Sequence, residues 1–356
     1  MKQHLFFALI VLLLLLLMPL FGLGGQLKTA FIPQAEQPLA EQTPQSAETN
    51  TTPTPATKAP AAAAAAPAKK TAGQATGEVI AVMRSGSGQT ETIDITEYLV
   101  GVVAAEMPAS AHEEALKAQA VASYTYARRR TEVEGIKAIS DSGTAEQEYI
   151  SREERERRWG DKFMLYEAKL REAVTAVSGT RITYEGQPIF AAFHSVSHGK
   201  TESAANYWGG TDHPYLQPAE SPGDRLAPDY SKTVTFTQAE MKDFLQTAEK
   251  EQSCKLTLDS NPAKWFGKPV RSESGMVQEI AVGGQEFSGR ELRELLSLRS
   301  ADFTVDYNEK DDAFAVTTRG HGHSVGMSQY GADFMARQGS GYVEILKHYY
   351  RGCEVG

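Results

Sequence analysis

The chain is poor in cysteine and has no excess of positive charge. Only Cys254 and Cys353 occur in 356 residues, so at most one disulfide bond can form, and the sequence leaves open whether the two pair. The 45 acidic residues outnumber the 36 basic ones and give a formal net charge of −9. This balance argues against nonspecific binding of nucleic acid or another anionic polymer, so an anionic ligand would need local cationic groups.

The N-terminal region lacks the small-residue pattern at which signal peptides are cleaved. An apolar run from Leu5 to Leu23 is long enough to cross a bilayer as a helix. Because no A-x-A pattern occurs at residues 22–25, the run predicts a retained anchor at residues 1–25 rather than a removed signal peptide. Lys2 precedes the run, so we expect a cytoplasmic N-terminus and a membrane protein whose remaining residues are extracytoplasmic.

The following segment, residues 26–77, has few large apolar residues and is rich in Pro, Ala, Thr and Gln. Such a composition cannot bury enough apolar surface to fold, so it predicts a disordered linker. The linker would let an extracytoplasmic domain at residues 78–356 work at a distance from its anchor.

Residues 78–356 predict an α+β fold, with one mixed α/β globular body and room for a small inserted lobe at residues 232–300. The densely charged run SREERERRWGDK predicts a solvated helix. Strands are predicted at residues 77–84, 91–95, 181–186, 188–196, 233–237 and 276–284. Helices are predicted at residues 95–106, 111–132, 153–177, 238–248, 289–298 and 342–349.

Glu106 is the one acid in the apolar part, LVGVVAAEM, of the sequence EYLVGVVAAEMP. Asp94 with Glu97 forms a capping-box pattern that predicts the start of a helix, and Pro108 ends this helix just after Glu106. The negative end of the helix dipole and the apolar neighbours both favour the protonated acid. Such an acid can protonate a glycosidic oxygen. The alternative is an ordinary carboxylate at a frayed helix end.

A second helix follows, and Ser110 with Glu113 predicts its start. Its residues Lys117, Tyr124 and Arg128 lie on one stripe by their spacing. Arg and Lys can hold a carboxylate, so this stripe predicts the cationic side of a cleft beside Glu106. A solvated basic face is the alternative interpretation.

Longer motifs around these residues resemble a known family. They are EYLVGVVAAEMP, ALKAQAVASYTYAR, FHSVSHGKTESAANYWGG, GHGHSVGMSQYGADFMA and EILKHYYRG. Together they make the chain similar to the family of stage II sporulation protein D. The resemblance implies a lytic transglycosylase that cleaves bonds between N-acetylmuramic acid and N-acetylglucosamine in peptide-stripped peptidoglycan and leaves 1,6-anhydro ends. It also implies a role in septal wall degradation and engulfment during sporulation, with a cell-wall amidase and a membrane protein as partners.

The resemblance places the catalytic acid at Glu106, which would first protonate the leaving oxygen and then act as a base toward the C6 hydroxyl. Lys117 and Arg128 would hold the lactyl carboxylate of muramic acid, and other polar side chains would position sugar hydroxyls. The expected substrate-binding residues are Lys117, Gln119, Tyr124, Arg128, Gln147, His194, Ser195, Ser197, His323, Ser328 and Gln329.

The histidines raise the alternative of a zinc site. His194 and His198 are four residues apart, which in a strand corresponds to about 13 Å and is too far for a shared metal ion. Zinc-binding relatives in the family carry a His-Cys pair before a Gln-x-Tyr element, whereas this chain reads DSGTAEQEY. We therefore expect no metal and no other cofactor. His198, His321 and Ser324 also depart from the family, which usually has a glycine, an aromatic residue and a glycine there.

Two other functions remain open at this point. The four histidines His194, His198, His321 and His323 would suit a zinc-dependent cell-wall amidase if they came together. A noncatalytic glycan-binding scaffold is the third interpretation. The residues alone do not distinguish a lyase from a hydrolase.

Overall fold

The computed structural model describes residues 77–144, 146–210 and 213–356. The apolar run at Leu5 to Leu23, and with it the predicted anchor, lies outside the described residues, as does the linker up to residue 76. Within the described ranges, no helix combines the length and apolar character needed to span a bilayer. These ranges form a mixed α/β body in which helices pack with several small sheets.

The first sheet leads directly into the helix that carries Glu106. Strand β1 (Val79–Met83) pairs antiparallel with β2 (Thr90–Asp94) and parallel with β3 (Ile139–Ser140). Helix α1 (Ile95–Glu106) follows β2 without a loop, and its bounds confirm the prediction. The Asp94 carboxylate accepts from the second and third backbone N–H groups of this helix, which satisfies two unpaired donors.

Helix α2 (Glu113–Arg128) begins at a different residue from the one predicted. The imidazole of His112, not the hydroxyl of Ser110, accepts from the Glu114 backbone N–H and caps the helix. A π-helical turn (Arg129–Val133) extends the helix at its C-terminal end. Small buried residues such as Ala118 and Ala122 let α2 lie in the core against α1.

The long helix predicted at 153–177 is two helices. Helix α3 (Arg152–Trp159) ends at Gly160, whose φ of 50° is unfavourable for other residues. Helix α4 (Phe163–Ala176) then packs against α1 and α2. The prediction that the charged run is wholly solvated is wrong, because Arg155 is fully buried.

The strands that follow are short. A hairpin joins β4 (Ile182–Tyr184) to β5 (Gln187–Pro188), and β6 consists of Phe193–His194. The predicted strand at 188–196 is therefore wrong over most of its length. Helix α5 (Ala204–Trp208) comes next and is capped by Ser203.

Residues 231–319 contribute a second cluster of buried hydrophobic side chains, which runs from Phe236 to Val316. The elements around it are β7 (Ser231–Thr237), α6 (Gln238–Glu251), β8 (Val270–Arg271), β9 (Val277–Val282), β10 (Gln285–Phe287), α7 (Gly289–Leu295), β11 (Phe303–Asn308) and β12 (Ala313–Arg319).

The six strands form two three-stranded sheets, with strand orders β10-β9-β8 and β11-β12-β7, which enclose the cluster together with the two helices. The inserted lobe at 232–300 remains a prediction, but the cluster continues beyond residue 300 because β12 pairs with β7 along its length.

The C-terminal segment adds buried side chains to the first hydrophobic cluster, which includes Tyr98, Val103 and Leu116. Strand β13 (Met327–Ser328) lies parallel to β6 and places Ser328 opposite His194. Helix α8 (Gln329–Arg337) starts immediately afterwards, within the motif GHGHSVGMSQYGADFMA. Helix α9 (Tyr342–Tyr349) has the predicted bounds, and β14 (Glu354–Val355) pairs with β4.

Both cysteines are free thiols. Cys353 is buried in the first hydrophobic cluster, whereas Cys254 packs against the second. Burial raises the pKa of the Cys353 thiol to about 12, so it remains protonated and unreactive at neutral pH.

Candidate functional site

Glu106 lies at the last position of α1, partly exposed, with its carboxylate held from two sides. One oxygen accepts from the backbone N–H of Glu148 at 3.1 Å, and the other accepts from the side-chain amide of Gln329 at 3.1 Å. The first donor belongs to the loop after β3, and the second is the first residue of α8. The end of α1 thus meets two segments that are distant in the sequence.

A buried line of amides continues from this carboxylate into the body. The Gln329 amide nitrogen also lies 3.4 Å from the side-chain oxygen of Gln119, whose own amide nitrogen donates to Ser123 at 3.0 Å. Gln119 and Ser123 are one turn apart on α2 and are fully buried. Both bonds are donated by the Gln329 amide nitrogen, so they fix the direction in which this nitrogen points.

Gln147 and Tyr98 extend the polar core of the site. The Gln147 amide nitrogen donates to the Tyr98 hydroxyl at 2.8 Å and to the Ser123 carbonyl at 3.2 Å. Burial raises the pKa of Tyr98 well above its ordinary value, and the Glu146 and Glu106 charges act in the same direction. Tyr98 is therefore a neutral phenol that orients Gln147, which is adjacent to the Glu148 donor.

Opposing influences act on the protonation of Glu106. The helix end and buried neighbours such as Val103 and Met107 disfavour charge, as the sequence predicts. The donors from Glu148 and Gln329 favour charge, because N–H groups stabilise a carboxylate. This second influence could not be read from the sequence around Glu106.

The predicted cationic stripe does not meet Glu106. Tyr124 and Arg128 lie roughly 140° to 180° around α2 from Gln119, at about 100° per residue. Tyr124 donates to Glu78 at 3.2 Å, and Arg128 forms an ion pair with the same carboxylate. Lys117 is paired with acidic residues of its own helix, Glu113 at 2.5 Å and Glu114 at 2.8 Å. We therefore leave Lys117, Tyr124 and Arg128 out of the site.

The structure brings His194 and His323 together next to the Glu106 network. Their ring centroids are 5.8 Å apart, and His323 also contacts Trp208 at 5.1 Å and Tyr207 at 6.0 Å. Burial lowers the pKa of His194 to about 3 and lowers that of His323 well below its ordinary value. Both rings are neutral at physiological pH.

Asp224 organises the serines of the site, although no sequence motif singled it out. Its carboxylate accepts from the Ser197 backbone N–H at 2.7 Å, the Ser197 hydroxyl at 2.5 Å and the Ser328 hydroxyl at 2.8 Å. Ser328 also caps α8, and Ser195 contributes its carbonyl to the Tyr330 N–H. Ser197 and Ser328 therefore position the start of α8, and with it Gln329.

Comparison with known proteins identifies the family of the chain. The chain is 39% identical over 297 residues to stage II sporulation protein D of Bacillus subtilis (strain 168), covering 81% of this chain and 82% of that protein. The chain belongs to the SpoIID family. The family model, described as stage II sporulation protein, matches residues 83–184 and so includes Glu106, Gln119 and Gln147.

Two further relatives bear on the SpoIID assignment. Stage II sporulation protein D of Bacillus amyloliquefaciens is 36% identical and covers 78% of each chain. An amidase enhancer of Bacillus subtilis (strain 168) is 26% identical, covering 71% of this chain but only 39% of that longer protein. The chain is therefore a sporulation protein of the SpoIID family.

The structure shows why a glycine is usual in the SpoIID family at the position of Ser324. Ser324 adopts a φ of 61°, a left-handed conformation in which a glycine is unstrained, so the usual glycine suits this position better. The Ser324 carbonyl accepts from the Glu202 N–H at 2.7 Å, which holds this backbone in place.

The four histidines do not form one cluster. His198 bonds to the Ser274 carbonyl at 2.8 Å, and His321 contacts Arg299 at 3.0 Å, so each has a partner outside the pair formed by His194 and His323. Among residues 77–144, 146–210 and 213–356, no group of three or more His, Cys, Asp or Glu side chains is arranged to hold a metal ion.

Replacing Asp224 should change how stability depends on pH. Burial raises the pKa of Asp224 from 3.8 to about 6, so the folded state binds a proton more tightly than the unfolded state. This contribution is present at low pH and is lost as the pH rises through about 6. We expect the stability of the wild type relative to Asp224→Asn to fall by roughly 2 kcal/mol between pH 4 and pH 7.

Urea unfolding at several pH values would measure this difference. Asp306→Asn is the matched control, because Asp306 is an exposed carboxyl on β11 and should show little such trend. A wild-type advantage that is constant from pH 4 to pH 7 would show that Asp224 does not retain its proton in the fold.

Proposed function

We propose that this SpoIID family member is a lytic transglycosylase that cleaves peptide-stripped peptidoglycan strands. The observation that supports this most directly is the placement of the Glu106 carboxyl group, partly exposed and held by the Gln329 amide and the Glu148 N–H. A single fixed acid beside neutral hydrogen-bonding groups suits glycosidic chemistry that uses one residue in both steps.

In the first step, Glu106 donates its proton to the oxygen between muramic acid and the next sugar. The bond from C1 to this oxygen breaks, and positive charge develops at C1 and the ring oxygen. Negative charge develops at the same time on the Glu106 carboxylate. The two N–H donors already point at its oxygens, so they stabilise this charge without rearrangement.

In the second step, the Glu106 carboxylate removes the proton from the C6 hydroxyl of the same muramic acid. The C6 oxygen then bonds to C1, which closes the 1,6-anhydro ring and returns Glu106 to its acid form. No water is consumed. Gln119 and Gln147 contribute by positioning the side chains around Glu106 through their amide hydrogen bonds. The neutral His194 and His323 form the adjoining wall of the site.

We also propose the location and partners that the sequence predicts. The run from Leu5 to Leu23 would hold the protein in the membrane, with its catalytic domain at the sporulation septum and the engulfing membrane. A cell-wall amidase that strips stem peptides would supply the substrate, and a membrane protein would complete the engulfment complex. The relative named amidase enhancer supports a link to amidases.

Mass spectrometry of digested glycan strands tests the proposed reaction. Purified peptide-free strands should yield fragments whose muramic acid ends are lighter by one water than ordinary reducing ends. Reducing ends would instead indicate a hydrolase, and release of stem peptides from intact peptidoglycan would indicate an amidase. Unchanged strands and intact stem peptides would favour the noncatalytic scaffold.

A further inference from the structure

Arg293 is a half-buried cation on α7 without an anionic partner. Its Nε donates to the Leu298 carbonyl at 3.2 Å, and one terminal nitrogen donates to the Tyr207 hydroxyl at 2.8 Å. Both acceptors are neutral, and no described carboxylate lies within ion-pair distance of Arg293. A guanidinium held in place by neutral groups keeps its full charge available for a ligand.

The surroundings of Arg293 form one wall of the candidate site. Tyr207, which receives its hydrogen bond, contacts both Trp208 and His323 through ring faces and edges. The Arg293 charge also acts on His194 and His323, which shows that it lies near both imidazoles. The wall therefore combines aromatic surface with one unpaired positive charge.

This wall is connected to the catalytic acid through short steps. His194 lies opposite Ser328 in the pairing of β6 with β13. The next residue, Gln329, donates to Glu106. A sugar chain that places a glycosidic oxygen at Glu106 would reach Arg293 by running past His194, His323 and Tyr207.

The other candidate cations lack this freedom. Lys117 is neutralised by Glu113 and Glu114, and Arg128 by Glu78. A carboxylate ligand would have to displace these partners, whereas at Arg293 it would only displace water. Arg293 is also the better shaped group, because a guanidinium can hold a carboxylate through two hydrogen bonds.

We propose that Arg293 is the specificity-determining cation of the site and binds the lactyl carboxylate of peptide-free muramic acid against the wall of Tyr207, Trp208 and His323. This inference rests on the proposed glycan substrate. A stem peptide converts the lactyl carboxylate into a neutral amide, so Arg293 would distinguish stripped strands from unstripped ones.

Glycan binding by calorimetry tests the proposal in the Glu106→Gln background, in which cleavage does not interfere. The probes are a peptide-free tetrasaccharide from peptidoglycan and the same compound with its lactyl carboxylates converted to methylamides. We expect the carboxylate form to bind about 10-fold more tightly, with a preference that weakens as salt is added. Adding Arg293→Gln should remove the preference, and Arg293→Lys should restore part of it.

Arg157→Gln is the matched control, because Arg157 is an arginine of α3 whose side chain is 72% exposed and lies 3.6 Å from Glu154. It should leave the preference unchanged. The proposal is overturned if Arg293→Gln keeps the preference, if Lys117→Gln removes it, or if neither compound binds. If the wild type binds the carboxylate form through Arg293 and yet forms no anhydro ends, that pair of results would uphold this subsite and refute only the proposed reaction.

Discussion

Glu106→Gln should reduce the rate of glycan cleavage by about 10²- to 10⁴-fold while glycan binding remains close to that of the wild type. Gln has nearly the same size and shape as Glu, and its amide oxygen can still accept from one of the two N–H donors. It cannot give a proton to the leaving oxygen or take one from the C6 hydroxyl. Time courses of anhydro-end formation by mass spectrometry would measure the loss, and calorimetry would measure binding.

The control for this substitution is Glu156→Gln on the exposed face of α3. It also replaces a Glu carboxylate with an amide, but on a helix that carries none of the site residues. Its cleavage rate should match that of the wild type. Thermal melting should also show that Glu106→Gln remains folded, because one of its amide N–H groups faces a donor and costs only about 1–3 kcal/mol. Normal anhydro-end formation by the folded Glu106→Gln variant would exclude Glu106 as the catalytic acid.

Arg155→Met should destabilise the protein by about 3–5 kcal/mol, because it removes a buried charge that is paired with two carboxylates. The buried Arg155 guanidinium donates to Glu97 at 2.5 Å, to Glu167 at 2.8 Å and to the Ile150 carbonyl at 3.0 Å. Within the part of the chain that the structure describes, removing it leaves the buried Glu167 with Arg152 and Arg171 as its cationic partners. Urea denaturation at neutral pH would measure the change.

Arg157→Met provides the comparison, since Arg157 belongs to the same helix and its side chain is 72% exposed. This variant should lie within about 0.5 kcal/mol of the wild type. Equal effects of the two substitutions would mean that the ion-pair cluster around Arg155 contributes nothing to stability. Because Arg155 also binds the carbonyl next to the loop of Glu148, its loss should weaken the support of Glu106.

Local signals made the N-terminal part of the site predictable. Asp94 caps α1 and Pro108 follows its end, so the bounds of this helix and the position of Glu106 could be read from neighbouring residues. Gln119 and Gln329 were expected in the site from the family resemblance, and the structure brings both to Glu106. The hydrogen bonds that link these two buried side-chain amides to each other and to Glu106 depend on tertiary packing, so no local sequence pattern predicted them.

The features that sequence reasoning misjudged depend on partners distant in the chain. Helical spacing correctly placed Arg128 and Tyr124 on one stripe, but only the fold shows that Glu78 lies against that stripe. Arg155 was assigned to solvent because charge patterning cannot show which single side chain of a run turns inward. Asp224 and Arg293 carry no motif at all, and their importance follows from burial and from the absence of a charged partner, respectively.

The contact between Glu106 and Gln329 joins residues that are 223 positions apart. Helix α1 can form from its own local signals, but the amide that holds its acid comes from a segment close to the C-terminus. Until that C-terminal segment has folded against α1, the chain carries the acid without this support. Folding of the C-terminal segment would thus complete the site, and we expect the proposed glycan cleavage to begin only after the whole polypeptide has folded.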